Sequence, residues 1–186
     1  MSGNRVKQSN IEANKVIGRD EVNFNIHRTS ATRYMETLMA KFKEEQKNNV
    51  CYEDIIDDLK HYSTAIENEK IIGLEAKLIA GNRESYIPFA TETKEKFFKK
   101  LKKNEYSESA QEIYTFLLAE IYSNFNHQIY PLLNDNHPIE YINKLIEEFV
   151  INPVQDILGE NILRIFKDDI NGMLYYLTDN CHIKWK

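Results

Sequence analysis

The apolar positions of this chain change period once. Val22, Phe24 and Ile26 alternate with polar residues, the two-residue rhythm of a strand. From about residue 32 onward, apolar side chains recur every three or four positions, as on amphipathic helices. Thr29 and Ser30 offer capping hydroxyls for a helix over about Thr32–Lys47, with Tyr34, Leu38, Met39 and Phe42 on one face and Asn48-Asn49 at its end. Ile55, Ile56, Leu59 and Tyr62 predict a second helix over about Glu53–Ile66. Ile72, Leu74, Leu78 and Ile79 predict a third, closed by Gly81-Asn82. Pro88 favours the start of a fourth, over about Phe89–Lys103. Ser107-Glu108-Ser109 opens the longest periodic stretch, Ala110 to about Leu133, with Ile113, Leu117, Ile121 and Phe125 facing inward and Pro131 as a kink or stop. Ile139–Val150 turns Ile142, Leu145, Ile146 and Phe149 inward. Pro153 interrupts, Val154–Phe166 resumes the helical pattern, and Asp168–Leu177 forms the last helix. Short loops between these pieces favour antiparallel packing, so the fold class is mainly α, a helical bundle.

Residues 1–28 read differently, as a β-prone arm before a helical domain over residues 29–186. Ile11, Ile17 and Val22 recur at five- to six-residue steps, as in short solenoid rungs, with Asn14 and Gly18 at turn positions. A lone hairpin is marginal in water, so this arm packs on its own domain or pairs with another chain. In the second case Val16, Ile17, Val22, Phe24 and Ile26 are the candidate oligomerisation residues.

Composition narrows the function classes. A chain of 186 residues with 42% hydrophobic and 28% charged residues buries a core without metal or disulfide. A net charge of -5 argues against wholesale nucleic-acid binding. Cys51 and Cys181 stand apart, outside any Cys-x-x-Cys pair, so a reduced, cytoplasmic protein without structural zinc is expected. The polar N-terminus has no secretory core, and no apolar run reaches the length of a membrane span.

Catalytic patterns are weak. The five histidines form no zinc-binding helix pattern. Cys181 and His182 are adjacent and point apart in an extended tail, whereas a thiolate–imidazole pair needs contact. The acid pairs Asp57-Asp58, Glu147-Glu148 and Asp168-Asp169 read as solvated helix faces. No phosphate-binding glycine loop occurs, which excludes the nucleotide-hydrolysing role. No catalytic residue, metal or cofactor is assigned. One charge run stands out: Lys94–Lys103 places Lys96, Lys99, Lys100 and Lys103 outward around Phe97, Phe98 and Leu101, a face suited to a phosphate backbone or an acidic partner. A solvated face is the plainer reading.

The C-terminal stretch carries a more specific signal. Gly172, Met173, Tyr175, Tyr176, Leu177, Thr178, Asn180, Cys181, His182 and Trp185 resemble the end of the C-terminal domain of bacterial ABC-three component conflict systems, which include Lamassu-type phage defence. Gly73–Arg83, Lys94–Lys103, Ser107–Ile121 and Pro131-Leu132-Leu133 are similar to the family's middle, and Val16–Val22 to a Gly-Arg-Asp-containing β arm. The family has Gly in the turn after the Thr; here Asp179 stands there, a residue that tolerates turns. The resemblance implies a complex in which an SMC/Rad50-like ABC ATPase works with a middle component and a third protein carrying this domain, commonly behind a nuclease or protease. This chain has no room for such an effector, so the implied role is an adaptor between ATPase and effector, with DNA contact through the lysine face as the alternative. Tyr175, Tyr176, His182 and Trp185 are the candidate partner-binding residues, Trp185 being hard to bury between Lys184 and Lys186.

Overall fold

The computed structural model describes residues 29–67, 69–135 and 137–186. The arm residues Val16, Ile17, Val22, Phe24 and Ile26 lie outside the described residues. The described chain is mainly helical, with no strand: α1 Ser30–Asn48, α2 Asp57–Ser63, α3 Leu74–Ala80, α4 Ile87–Lys103, α5 Glu108–Asn124, α6 Ile139–Ile146, α7 Asn152–Leu158 and α8 Lys167–Asp179.

The caps follow the residue chemistry. Thr29 Oγ1 accepts from the Thr32 amide at 3.2 Å, and Asn49 closes α1 in the left-handed region at φ 50°. Ser107 Oγ accepts from the Ala110 amide at 3.1 Å and donates to Glu45 of α1 at 2.5 Å. Glu45 also accepts from the Ser109 amide at 3.2 Å, so α1 supplies a carboxylate to the positive end of α5.

Three boundaries depart from the sequence pattern, each with a cause. Helix α2 begins at Asp57 because Gln111, fully buried on α5, holds the preceding segment extended. Its amide oxygen accepts from the Ile56 amide at 2.8 Å and its amino group donates to Asp54 O at 2.8 Å. Helix α7 stops at Leu158, short of the expected Phe166, because Gly159 adopts φ 50° and ψ -144°, a conformation reserved for glycine. Beyond it Asn161 closes a loop on Ile165, accepting at 2.7 Å and donating at 3.0 Å. Finally, Pro153 lies within a continuous helical path instead of interrupting it, whereas the path through α5 ends at Leu132, one residue past Pro131, as expected of a stop there. Each proline follows a wide π-turn, Phe125–Ile129 and Glu147–Ile151, whose register accommodates the proline ring and its missing donor. The second π-turn also rotates the inward stripe, so Val150 and Ile151 are buried and Phe149 is exposed.

The core is organised around α4 and α8. On α4 the buried face is Ala90, Thr93, Phe97 and Leu101, while Phe98 stays at the edge and stacks on Tyr176. On α8 nearly every residue from Asp169 to Thr178 is buried. The two helices run antiparallel: Lys94 midway along α4 pairs with Asp179 at the end of α8 at 2.9 Å, and Lys100, nearer the end of α4, pairs with Asp169 near the start of α8 at 2.6 Å. Gly172 sits at the crossing. A Cβ there would lie 2.2 Å from Thr93 O and 2.8 Å from Phe97 Cβ, so only hydrogen fits. Helix α5 packs its fully buried Ile113, Leu117 and Ile121 into the same core, with Phe125 of the π-turn that follows.

Gly172→Ala has no room to relax, because the obstacle is backbone. It should destabilise the chain by about 3 kcal/mol, read as a lowered urea midpoint with an unchanged slope.

Candidate interaction site

The terminal motif begins where α8 ends. The Cys181 amide donates to Thr178 O at 3.2 Å and the His182 amide to Leu177 O at 2.9 Å, the paired bonds of a Schellman closure. Cys181 occupies its left-handed position at φ 68°, where glycine is usual. The expectation that Asp179 enters the turn is therefore corrected. Asp179 is the last helical residue, and its carboxylate accepts from the Leu74 amide at 2.9 Å and from Lys94 Nζ at 2.9 Å. It thereby caps α3 and ties it to α4. Asn180 fastens the loop after α2, donating to Tyr62 O and accepting from the Ile66 amide, both at 3.1 Å.

Trp185 is 4% exposed, which corrects the expectation that it resists burial. The backbone passes so close over Gly81 that a Cβ there would meet Trp185 Cβ at 2.8 Å. The indole donates to Thr178 Oγ1 at 3.1 Å and packs edge-on against Phe125, ring centroids 5.0 Å apart. Tyr175 stacks on it at 6.5 Å, and Tyr176 packs on Phe97 at 5.3 Å. Burial pushes the Tyr175 phenol up to about 12. All four candidate partner-binding residues, Tyr175, Tyr176, His182 and Trp185, are buried, at 4–8% exposure.

One residue beneath this cluster gives no periodic or motif signal. Arg83 follows α3, is 4% exposed, and lays its guanidinium 4.6 Å from the Trp185 ring and 5.8 Å from Tyr86. Burial lowers its pKa from the ordinary arginine value. It lies within the Gly73–Arg83 stretch but is a single basic residue after a helix stop, indistinguishable in sequence from a surface arginine.

Cys181 and His182 do not face each other. The buried thiol donates to Asp179 O at 3.7 Å, while the His182 ring lies among His61, Tyr62 and Tyr122 at 5.1, 5.5 and 6.3 Å. His182 Nε2 is buried without a partner among the described residues.

The lysine face is largely neutralised. Lys96 pairs with Asp168 at 3.0 Å, Lys100 with Asp169 at 2.6 Å, and Lys102 with Glu105 at 2.7 Å. Lys99 and Lys103 are exposed and make no ion pair among the described residues. Two free lysines on one helix supply little of the counterion release that nucleic-acid binding draws on. The acids opposite α4 are Asp168, Asp169 and Asp179, all on α8, so the basic run serves first to hold that helix.

The apolar surface lies elsewhere. Ile72 is 69% exposed and Ile79 43%, and both line an open cleft of about 510 Å³ shared with Thr91, Lys94 and Asp179. Tyr141, Phe149 and Phe166 add further exposed rings.

His182 makes a pH-dependent contribution whose sign is fixed. Burial first, then the neighbouring His61, push its pKa below the ordinary 6.5. Stability from a neutral buried imidazole is present above the unfolded value and is lost as pH falls through 6.5 toward the folded one. Urea titrations should show the wild-type midpoint dropping from about pH 7 to about pH 5.5 more steeply than that of His182→Gln. A second variant probes the ionic tie. Lys100→Met leaves Asp169 buried without its cation and should cost about 3 kcal/mol in the same assay.

Comparison with curated proteins and with solved structures found no match. Residues 73–185 match C-terminal domain 9 of the ABC-three component (ABC-3C) systems, a span from the start of α3 to Trp185. That span contains the α4–α8 crossing, the Schellman closure, Arg83 and the buried tryptophan, and the chain belongs to this family.

Proposed function

We propose that this chain is a non-catalytic interaction subunit of a cytoplasmic anti-phage complex, in which it couples an SMC/Rad50-like ABC ATPase to an effector carried by another chain. Family membership ties it to a system of several components. The observation that carries the adaptor reading is where the family segment spends its side chains. Its distinctive aromatic tail is consumed in internal packing, while Ile79 within the segment and Ile72 just before it are left in water beside a cleft. Large isoleucines exposed side by side lower the free energy when a partner covers them. Among the described residues no helix is long and apolar enough to cross a membrane.

Co-expression with the ATPase and effector of the same system, followed by pull-down, tests this. The wild-type chain should retain at least one component. Ile72→Asp combined with Ile79→Asp should cut that retention at least about tenfold while leaving the helical signal intact. Absence of any co-purifying component, together with full phage resistance after deletion of the gene, would refute the proposal.

A further inference from the structure

We infer that Arg83 anchors a carboxylate-binding site, filled by an acidic side chain of a partner protein. Naming a protein as the source rests on the adaptor reading; the site itself rests on the geometry.

Arg83 is nearly withdrawn from water, yet no Asp or Glu among the described residues pairs with it. Among the described residues its one side-chain hydrogen bond runs from Nη1 to Asn143 Oδ1 at 2.5 Å. Asn143 is neutral and is itself held by Tyr86, donating to the phenol oxygen at 2.5 Å. A buried guanidinium without a counter-charge is costly, and proteins supply the missing anion from elsewhere in the chain or from a ligand. Its lowered pKa reflects the same deficit.

The open side of the group leads into a cleft of about 230 Å³ lined by Phe89, Asn143, Glu147, Asn171 and Tyr175. That is below the roughly 300–1,000 Å³ of small-molecule sites and suits one inserted side chain. Trp185 and Tyr86 approach the guanidinium rings-on, so an anion must come to its edge. Edge-on, two-point approach is how a planar carboxylate meets arginine. Phosphate, with its greater charge, fits poorly, because Arg83 is the only cation among the described lining residues. Glu147 is occupied by Lys167, and therefore does not serve as the missing partner.

The full chain can be tested with acetate as the carboxylate probe. The Arg83 Nε–Hε resonance, identified by its loss in Arg83→Lys, should shift saturably with acetate at millimolar concentration. Chloride and inorganic phosphate at matched ionic strength should leave it in place. No saturable acetate shift, or a shift with phosphate alone, overturns the site. The acetate arm uses the wild-type chain, so it stands even if a variant folds poorly. In the pull-down, Arg83→Lys keeps the charge but loses the fork, and should weaken capture of the bound component about tenfold. Equal capture by Arg83→Lys and wild type overturns the assignment of the site to a partner's acid. If the wild type captures nothing, the adaptor reading fails, and the acetate response alone decides whether the site exists.

Discussion

Two backbones touch where Gly172 of α8 crosses Thr93 of α4, and the rest of the structure is arranged around that approach. A hydrogen in place of a side chain lets the helices close until Phe97 meets Tyr176 and Tyr114 edge-on. The ends are then held by charge. Acids at the start of α8 meet lysines toward the end of α4, so the charges that complement each helix's own dipole also pair with one another. Asp169 also accepts from the Phe166 amide at 2.8 Å, joining cap and ion pair in one buried carboxylate. Because the crossing fixes where α8 ends, it also fixes where the tail turns and where Trp185 lands.

The tail is therefore an internal part, and this shapes the functional account. Asn180 reaches the loop after α2, Asp179 caps α3, and Trp185 roofs Arg83 while bonding Thr178. Four short connections bring elements from residues 62 to 185 to one place. On the proposed adaptor reading, recognition of another component falls to the isoleucines around α3 and the edge of one arginine. The chemistry of those two features differs, one apolar and one ionic, which is how small surfaces combine affinity with selectivity.

Much of the helical order was legible, because amphipathic spacing and caps such as Thr29, Ser107 and Gly81-Asn82 are local signals. The family resemblance, drawn from the terminal residues, agrees with the match over residues 73–185. What was not legible depended on distant partners. Gln111 looks like an ordinary polar helix residue until it is seen bonding the segment before α2. Lys96 and Lys100 look like a free basic face until Asp168 and Asp169 come opposite. Trp185 looks exposed between two lysines, because its burial depends on a close pass over Gly81, about a hundred residues earlier. Gly159 stops α7 at Leu158, whereas the apolar pattern carried the expected helix on to Phe166. Arg83 left no trace in the pattern at all; only its burial without an acid marks it.

The central claim is that α8 and the residues after it form the most firmly held part of the molecule. Native-state hydrogen exchange of the isolated chain measures this directly. The amides of Met173–Leu177, His182 and Ile183 should exchange only through global unfolding, with denaturant dependence equal to that of the whole chain. If His182 and Ile183 exchange by local opening while α5 stays protected, the tail is a loose partner-facing segment and the account is wrong.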